Sequence, residues 1–391
     1  MEFSLPGEND PIRQEVRKWL EAHPSPTAEE LAASGLVAPH WPKPYGREAD
    51  PISQLVIDEE LRTAKVSRPS NAIGIGWAGP TILHAGTKEQ KDRYLMPILS
   101  AQEIWCQLFS EPGSGSDLAS LSTRAYLDGD NFIVNGQKIW TSFGHIAKFG
   151  ILLVRTNPEV TKHQGISYLI CPMDAPGITI HPIVDMTGMH TFNEVFFDDV
   201  HIPVANLVGE LNRGWELAKV TLANERVSLS SGGVLWGNGP VARDLIDLVK
   251  LTGGCQDPLT RQELAKVFTE GEILRWLSLR LISAAISGQE PGPESSVRKA
   301  LGDEHGQNLM QVAKSMAGTS GMVDVGSFPG TLSPFQNAIG YWNLGFLFSA
   351  ALTVGGGTSE IQRNIIAEKT LGLPKEMDFD ADRPWNERTG G

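Results

Sequence analysis

Residues 107–117 read Gln107-Leu-Phe-Ser-Glu-Pro-Gly-Ser-Gly-Ser-Asp117, and the character of the chain changes across them. Upstream, apolar residues recur at helical spacing, first Ile12, Val16, Trp19 and Leu20, then a second amphipathic run over 54–61. Downstream, short apolar runs rich in β-formers take over at 131–134, 150–154, 166–171, 178–183 and 195–197. The Asp128-Gly129-Asp130-Asn131 run between strand-like segments is a hairpin turn signal. Beyond Gly209 helical periods return at 215–229, 241–251, 261–286, 306–317, 344–354 and 361–371. The order is therefore helices, a β domain, then helices, an α+β chain with expected boundaries at 1–105, 106–209 and 210–391. Taken alone, Pro112, Gly113 and Gly115 describe no more than the loop joining the first two parts.

Length and composition fit that division. At 391 residues the chain suits two or three domains. With 41% hydrophobic and 20% charged residues, disordered, collagen-like and coiled-coil classes are excluded. Lys and Arg number 33 against 46 Asp and Glu, a net charge of −13, so no sequence-wide basic footprint for nucleic acid or an anionic membrane exists. Cys106, Cys171 and Cys255 show no C-x-x-C spacing, which argues against a disulfide framework or a cysteine zinc site and for a reducing cytoplasm. The first residues lack a basic n-region followed by an apolar h-region, so no secretion signal is expected there. Residues 325–359 carry no charge, yet prolines and amides interrupt them, and 345–354 is about half the ~20 apolar residues a bilayer span needs. Buried protein interior is the expectation, not membrane insertion. Gly74-Ile-Gly-Trp-Ala-Gly79 has the form G-x-G-x-x-G, but a helical run precedes it and no alternating β and α units follow, so it is not read as a dinucleotide site. No H-E-x-x-H or comparable ligand spacing occurs, and no catalytic metal is expected.

The 107–117 loop becomes specific in company. Together with Gly86-Thr-Lys-Glu-Gln-Lys91, Asn135-Gly-Gln-Lys-Ile-Trp-Thr-Ser142, Asn193-Glu-Val-Phe-Phe-Asp-Asp-Val200 and Gly357-Thr-Ser-Glu-Ile-Gln-Arg363, in matching order over nearly the whole chain, it resembles the acyl-CoA dehydrogenase family. The resemblance implies an N-terminal helical domain, a central β domain and a C-terminal four-helix bundle, with FAD held between the last two. It also implies a homotetramer or a heterotetramer with a related subunit. Gln107, Phe109 and Ser110 match the strand lining the flavin pyrimidine edge, Trp140 the residue against the isoalloxazine, and Ser142 a hydroxyl near N5. Ser116 matches a residue near the coenzyme A arm, and Thr358 and Glu360 the segment touching the FAD diphosphate and ribose.

Three departures stand out. Familiar members place the catalytic glutamate just before the final Gly-Thr, where this chain has Gly356. The segment that usually carries an Arg for the FAD diphosphate reads Leu248-Val-Lys-Leu-Thr-Gly-Gly254 here, leaving Lys250 or Arg261 as substitutes. The glycine pair of the adenosine segment is reduced to Gly318-Thr-Ser-Gly321. A minority of the family, including isovaleryl-type and bacterial sterol-degrading members, carries the base in a Glu-Arg pair on a C-terminal-domain helix, and Glu225-Arg226 stands at that place. Periodicity agrees. At about 100° per residue, Glu216, Lys219 and Arg226 share a polar side, and Glu225 falls roughly 140° from its centre, beside Ala218, Leu222 and Leu229. A carboxylate on an apolar face is costly unless paired or used. The resemblance thus implies FAD-dependent α,β-dehydrogenation of an acyl-CoA thioester, branched or sterol-derived acyl groups included. Glu225 is the expected base, the Gly356 N–H a donor to the thioester oxygen, and an electron-transferring flavoprotein the electron acceptor. The rival readings are a silent subunit of a heteromeric dehydrogenase and a flavin oxidase or monooxygenase on the same scaffold.

Overall fold

Helix starts in the first hundred residues are written in the sequence as caps. The structure, a computed structural model, describes residues 5–229, 235, 239–252, 256–286, 292–322 and 334–388. Helices α1 (Pro11–Ala22) and α3 (Pro51–Thr63) each follow an Asp-Pro pair, with Asp10 accepting from the Ile12 and Arg13 N–H groups and Asp50 from those of Ile52 and Ser53. Helices α2 (Ala28–Ala33) and α5 (Lys88–Leu99) open on capping boxes, Thr27 with Glu30 and Thr87 with Gln90. Arg13 and Arg17 of α1 both reach the buried Glu60 of α3, so the first and third helices are tied by charge as well as apolar contact. The Gly74–Ala78 run is a π turn feeding α4 (Gly79–Ala85), not a strand-to-helix phosphate loop. The glycine at its end permits close packing: a Cβ at Gly79 would lie 2.2 Å from the Trp41 ring.

Seven strands form one sheet: β1 (Trp105–Leu108), β2 (Arg124–Asp128), β3 (Asn131–Lys138), β4 (Phe149–Arg155), β5 (Ile166–Pro172), β6 (Ile178–Ile183) and β7 (Phe192–Pro203). The order is β1-β4-β2-β3-β7-β6, with β5 antiparallel to β4 and β1 parallel to it. The expected hairpin is present: Asp128 pairs with Asn131, and Gly129 takes φ +58° between them. Strands β4 and β5 are buried on both faces. Ile151, Leu153, Tyr168 and Ile170 join a core shared with the N-terminal helices, while Leu152, Val154, Leu169 and Cys171 join a second core with Phe132, Val134, Val195 and Phe197. This is why these strands read as continuous apolar runs rather than alternating ones. Cys106 and Cys171 are free and buried, and burial pushes both thiols up; Cys255 lies outside the described residues.

Helix α6 (Gly214–Leu229) follows the sheet, then α7 (Asp244–Thr252), α8 (Pro258–Ile286), α9 (Glu294–Ala317), α10 (Pro334–Ser349) and α11 (Ser359–Ile365). Leu245, Leu248, Val267, Leu309, Met310, Ala313 and Trp342 form a core of α7 to α10, while Leu217 and Ala218 of α6 join the core of the N-terminal helices. The chain divides into two compact units, one comprising residues up to 183, 190–224 and those from 378, the other 184–189 and 225–377. Helix α6 crosses from the first to the second between Asn224 and Glu225. The period expected over 344–354 stops early. Helix α10 ends at Ser349 and turns occupy 350–356, where three successive glycines, Gly355 to Gly357, disfavour helix. The described part of the uncharged stretch is not uniformly interior, since Trp342 is buried while Tyr341, Leu344 and Val354 are exposed. No described helix is long and apolar enough to cross a membrane.

Candidate active site

The 107–111 and 138–142 segments are joined by a buried ion pair and a backbone bond. Lys138, at the end of β3, is wholly buried, and its Nζ donates to Phe109 O at 3.0 Å and Glu111 Oε1 at 2.7 Å. One residue on, the Ile139 N–H donates to Ser110 O at 2.9 Å. Glu111 also accepts from the Ser122 and Thr123 N–H groups at 2.7 and 2.9 Å and from the Ser122 hydroxyl at 2.8 Å. Burial alone would raise its carboxyl, but the Lys138 ammonium and these donors outweigh that and hold it at about 2. The backbone of Phe109 and Ser110 is thereby held against Lys138 and Ile139, the two residues that lead into Trp140.

Trp140 is the unusual member. Its φ is +60°, a left-handed conformation uncommon for a bulky side chain, and it is 57% exposed beside the buried Thr141. The conformation is enforced next door. The Thr141 N–H donates to Asn193 O at 3.0 Å, Asn193 Nδ2 donates back to Thr141 O at 2.9 Å, and the Phe143 N–H donates to Thr191 O at 2.8 Å. Phe192 meets the indole edge-on at 6.0 Å. An exposed aromatic face on a fixed backbone, with the half-buried Ser142 two residues along, suits a flat heteroaromatic ring.

Ser116 stands apart on an exposed turn. The turn is closed by reciprocal backbone bonds between Glu111 and Ser114 at 2.9 and 3.0 Å, and anchored by Lys162, whose Nζ contacts both Asp117 oxygens at 2.9 Å.

Helix α6 buries Gly214, Leu217, Ala218, Thr221 and Glu225, the last four at three, four, seven and eleven residues from its start, and exposes Glu216, Lys219 and Ala223. Glu225 is 7% exposed and so lies on the buried stripe. One turn earlier Thr221 is fixed by Tyr168 Oη at 3.0 Å and Thr81 Oγ1 at 2.8 Å, all three wholly buried. In the second unit, Gly356 precedes Thr358, which caps α11 by accepting from the Ile361 N–H at 3.3 Å. Glu360 projects from the first turn, its carboxyl lowered by backbone donation at the helix start. Lys250 is exposed beside Asp247 at 3.2 Å, and Arg261 is exposed. Residues 253–255 lie outside the described part.

Sequence reasoning passed over Glu111, Lys138, Lys299 and Gln362. For Lys138 a signal existed. It shares the inward parity of β3 with Phe132 and Val134, and a lysine on a buried face requires an anion.

Family models match three successive stretches: acyl-CoA dehydrogenase N-terminal domain over 8–102, middle domain over 106–200, and C-terminal domain over 212–371. The chain is 42% identical to acyl-CoA dehydrogenase FadE34 of Mycobacterium tuberculosis over 346 residues, 88% of this chain but 46% of that protein, so it spans about half of FadE34. It is 38% identical to acyl-CoA dehydrogenase IpdE1 of the same organism, over 95% of this chain and 91% of IpdE1. Among solved structures, the Tcur3481-Tcur3483 steroid ACAD superposes with a TM-score of 0.78 at 29% identity, covering 96% of this chain and all of that one.

Proposed function

The chain belongs to the acyl-CoA dehydrogenase family, flavoprotein oxidoreductases of the CH–CH group, and from that premise we propose that it desaturates the α,β-bond of a branched or sterol-derived acyl-CoA with Glu225 as base. The carrying observation is Glu225 itself, a carboxylate on the buried stripe of α6, while Gly356 leaves the more familiar position of the base without a side chain. An α C–H is too weak an acid for a carboxylate alone, so donors aimed at the thioester oxygen must stabilise the developing enolate. The Gly356 N–H is the donor this chain supplies, and Glu225 takes the α-proton. Bound FAD would supply the hydride acceptor for the β-carbon. Trp140 and Ser142 would hold the ring, with Gln107, Phe109 and Ser110 along its edge; Thr358 and Glu360 would serve the diphosphate and ribose, and Ser116 the coenzyme A arm. The substrate class rests on the relative that is a steroid ACAD and on the space left at Gly356. The two components in that relative's name support assembly with a related subunit. An electron-transferring flavoprotein would be the electron acceptor.

The test is single-turnover flavin reduction by wild-type and Glu225→Gln protein, each with a steroidal thioester and with octanoyl-CoA. Wild type is expected to favour the steroidal thioester. Glu225→Gln is expected to keep FAD and thioester binding and lose at least ~10²-fold in reduction rate, the low end for a positioned general base. Near-wild-type reduction by Glu225→Gln would move the base elsewhere.

A further inference from the structure

The turn between α10 and α11 is built around an enclosed ammonium. Lys299, on α9, is 3% exposed, and its Nζ donates to Asp303 Oδ2 at 2.5 Å, Leu352 O at 3.2 Å and Gly357 O at 3.2 Å. All three N–H bonds are used. Gln362, wholly buried on α11, adds Nε2 donation to Gly356 O at 3.1 Å and Gly357 O at 3.3 Å. The two carbonyls that follow the Gly356 N–H are therefore held by side chains from two different helices. Gly356 and Gly357 take φ +66° and +90°, and a Cβ on Gly357 would fall 2.7 Å from Gln362 Nε2. Among the described residues no backbone acceptor takes the Gly356 N–H.

Stability does not explain such an arrangement, because a buried ion pair is commonly matched by apolar residues of similar volume. What a lysine offers here is three donors at a point, able to hold two carbonyls of a turn while a carboxylate neutralises it. We infer that Lys299 is a positioning residue of the dehydrogenation: by fixing the Leu352 and Gly357 carbonyls it pins the turn on both sides of the Gly355–Gly356 peptide, whose N–H is thereby aimed at the thioester oxygen. The inference rests on the reading of this chain as an acyl-CoA dehydrogenase that uses that donor.

The experiment uses FAD-loaded full-length protein and two paired variants, Lys299→Met/Asp303→Leu and Lys299→Gln/Asp303→Asn, so that no buried charge is orphaned. Three quantities are read: the single-turnover rate of flavin reduction, the thioester Kd, and ionisation of a bound 3-thia-acyl-CoA. That analogue can lose its α-proton but is not oxidised, and its enolate shows as long-wavelength charge-transfer absorbance with the flavin. Expected in both variants is a loss of about tenfold or more in rate and in the ionisation equilibrium, part of the 10²–10³-fold that removing an oxyanion donor costs, with Kd little changed. Wild-type rate and ionisation in either folded variant overturn the inference. So does failure of both to fold or hold FAD, which makes the pair a requirement of folding. A wild type that neither reduces its flavin nor ionises the analogue removes the parent reading and this inference with it, a pattern distinct from equal competence in wild type and variant.

Discussion

Lys138 is an ammonium with no access to water, and Glu111 is the carboxylate that makes this tolerable. Removing one partner of such a pair strands the other, which commonly costs about 3–5 kcal/mol. Glu111→Gln is therefore expected to lower the unfolding free energy in urea by that order at neutral pH, with partial recovery in Glu111→Gln/Lys138→Met. The pH dependence has a definite sign. Glu111 is held at about 2 against an ordinary 4.5, so its contribution stands in full above pH 4.5 and is lost as pH falls from there toward 2. Equilibrium unfolding across that window should show a shallower acid limb in Glu111→Gln; an identical limb would place the acid sensitivity in another group. The segments that flank this pair were legible as motifs, since Gln107 to Ser110 and Trp140 to Ser142 each read as a block. The pair itself was not, because nothing in one dimension says that a glutamate beside Pro112 and a lysine 27 residues later share a pocket. Trp140 shows the same limit: its position was readable, its left-handed backbone was not, because Asn193 and Thr191 impose it from the start of β7, some fifty residues on.

Residues 378–388 act as a strap on the first unit. Trp385 lies over the Arg155 guanidinium at 4.9 Å, its Nε1 donates to Ser120 O at 3.4 Å, and its N–H donates to Val160 O at 2.8 Å. Arg155, buried and pushed down to about 10 by that burial, donates in turn to Ala119 O at 2.6 Å and Lys162 O at 2.7 Å. The strap thus braces the turn that carries Ser116, proposed here at the coenzyme A arm. Trp385→Ala is expected to raise KM for the thioester severalfold with kcat little changed, and to speed amide exchange across 114–122. Unchanged exchange there would detach the strap from that turn. It lies past residue 371, where the C-terminal family match stops. Elements were legible where periodicity was long or caps were explicit, as in α6, α8, β4 and β5. Strand β1 was legible only through the family motif and β2 only through the hairpin turn that follows it, not through their own residue patterns. The first is four residues running into a glycine loop, and the second exposes Tyr126 and Leu127, so neither carries the alternation that marks a half-buried strand. The helix expected over 344–354 overran its true end because apolar residues continue past Ser349 and no glycine or proline marks a stop between there and 355.

At the scale of the molecule, the described residues form three cores in two compact units, and apolar side chains among them remain uncovered in the single chain. Ile273 and Trp276, half exposed and three residues apart on α8, form part of a strip that suits contact between subunits. Trp276→Glu is expected to shift sedimentation to smaller species without altering the helical circular dichroism signal; unchanged sedimentation would put the strip outside the assembly contacts. The strap carries a consequence for biosynthesis. The first unit comprises residues up to 183 and 190–224, yet it also needs 378–388, which leave the ribosome only after the whole of 225–377 has emerged. At roughly 5–20 residues per second this imposes a wait of several seconds or more. During it the nascent chain presents Arg155 and the Ser120 carbonyl without Trp385, and a chaperone or protease that reads bare surface meets that half-finished face before the polypeptide's own tail does.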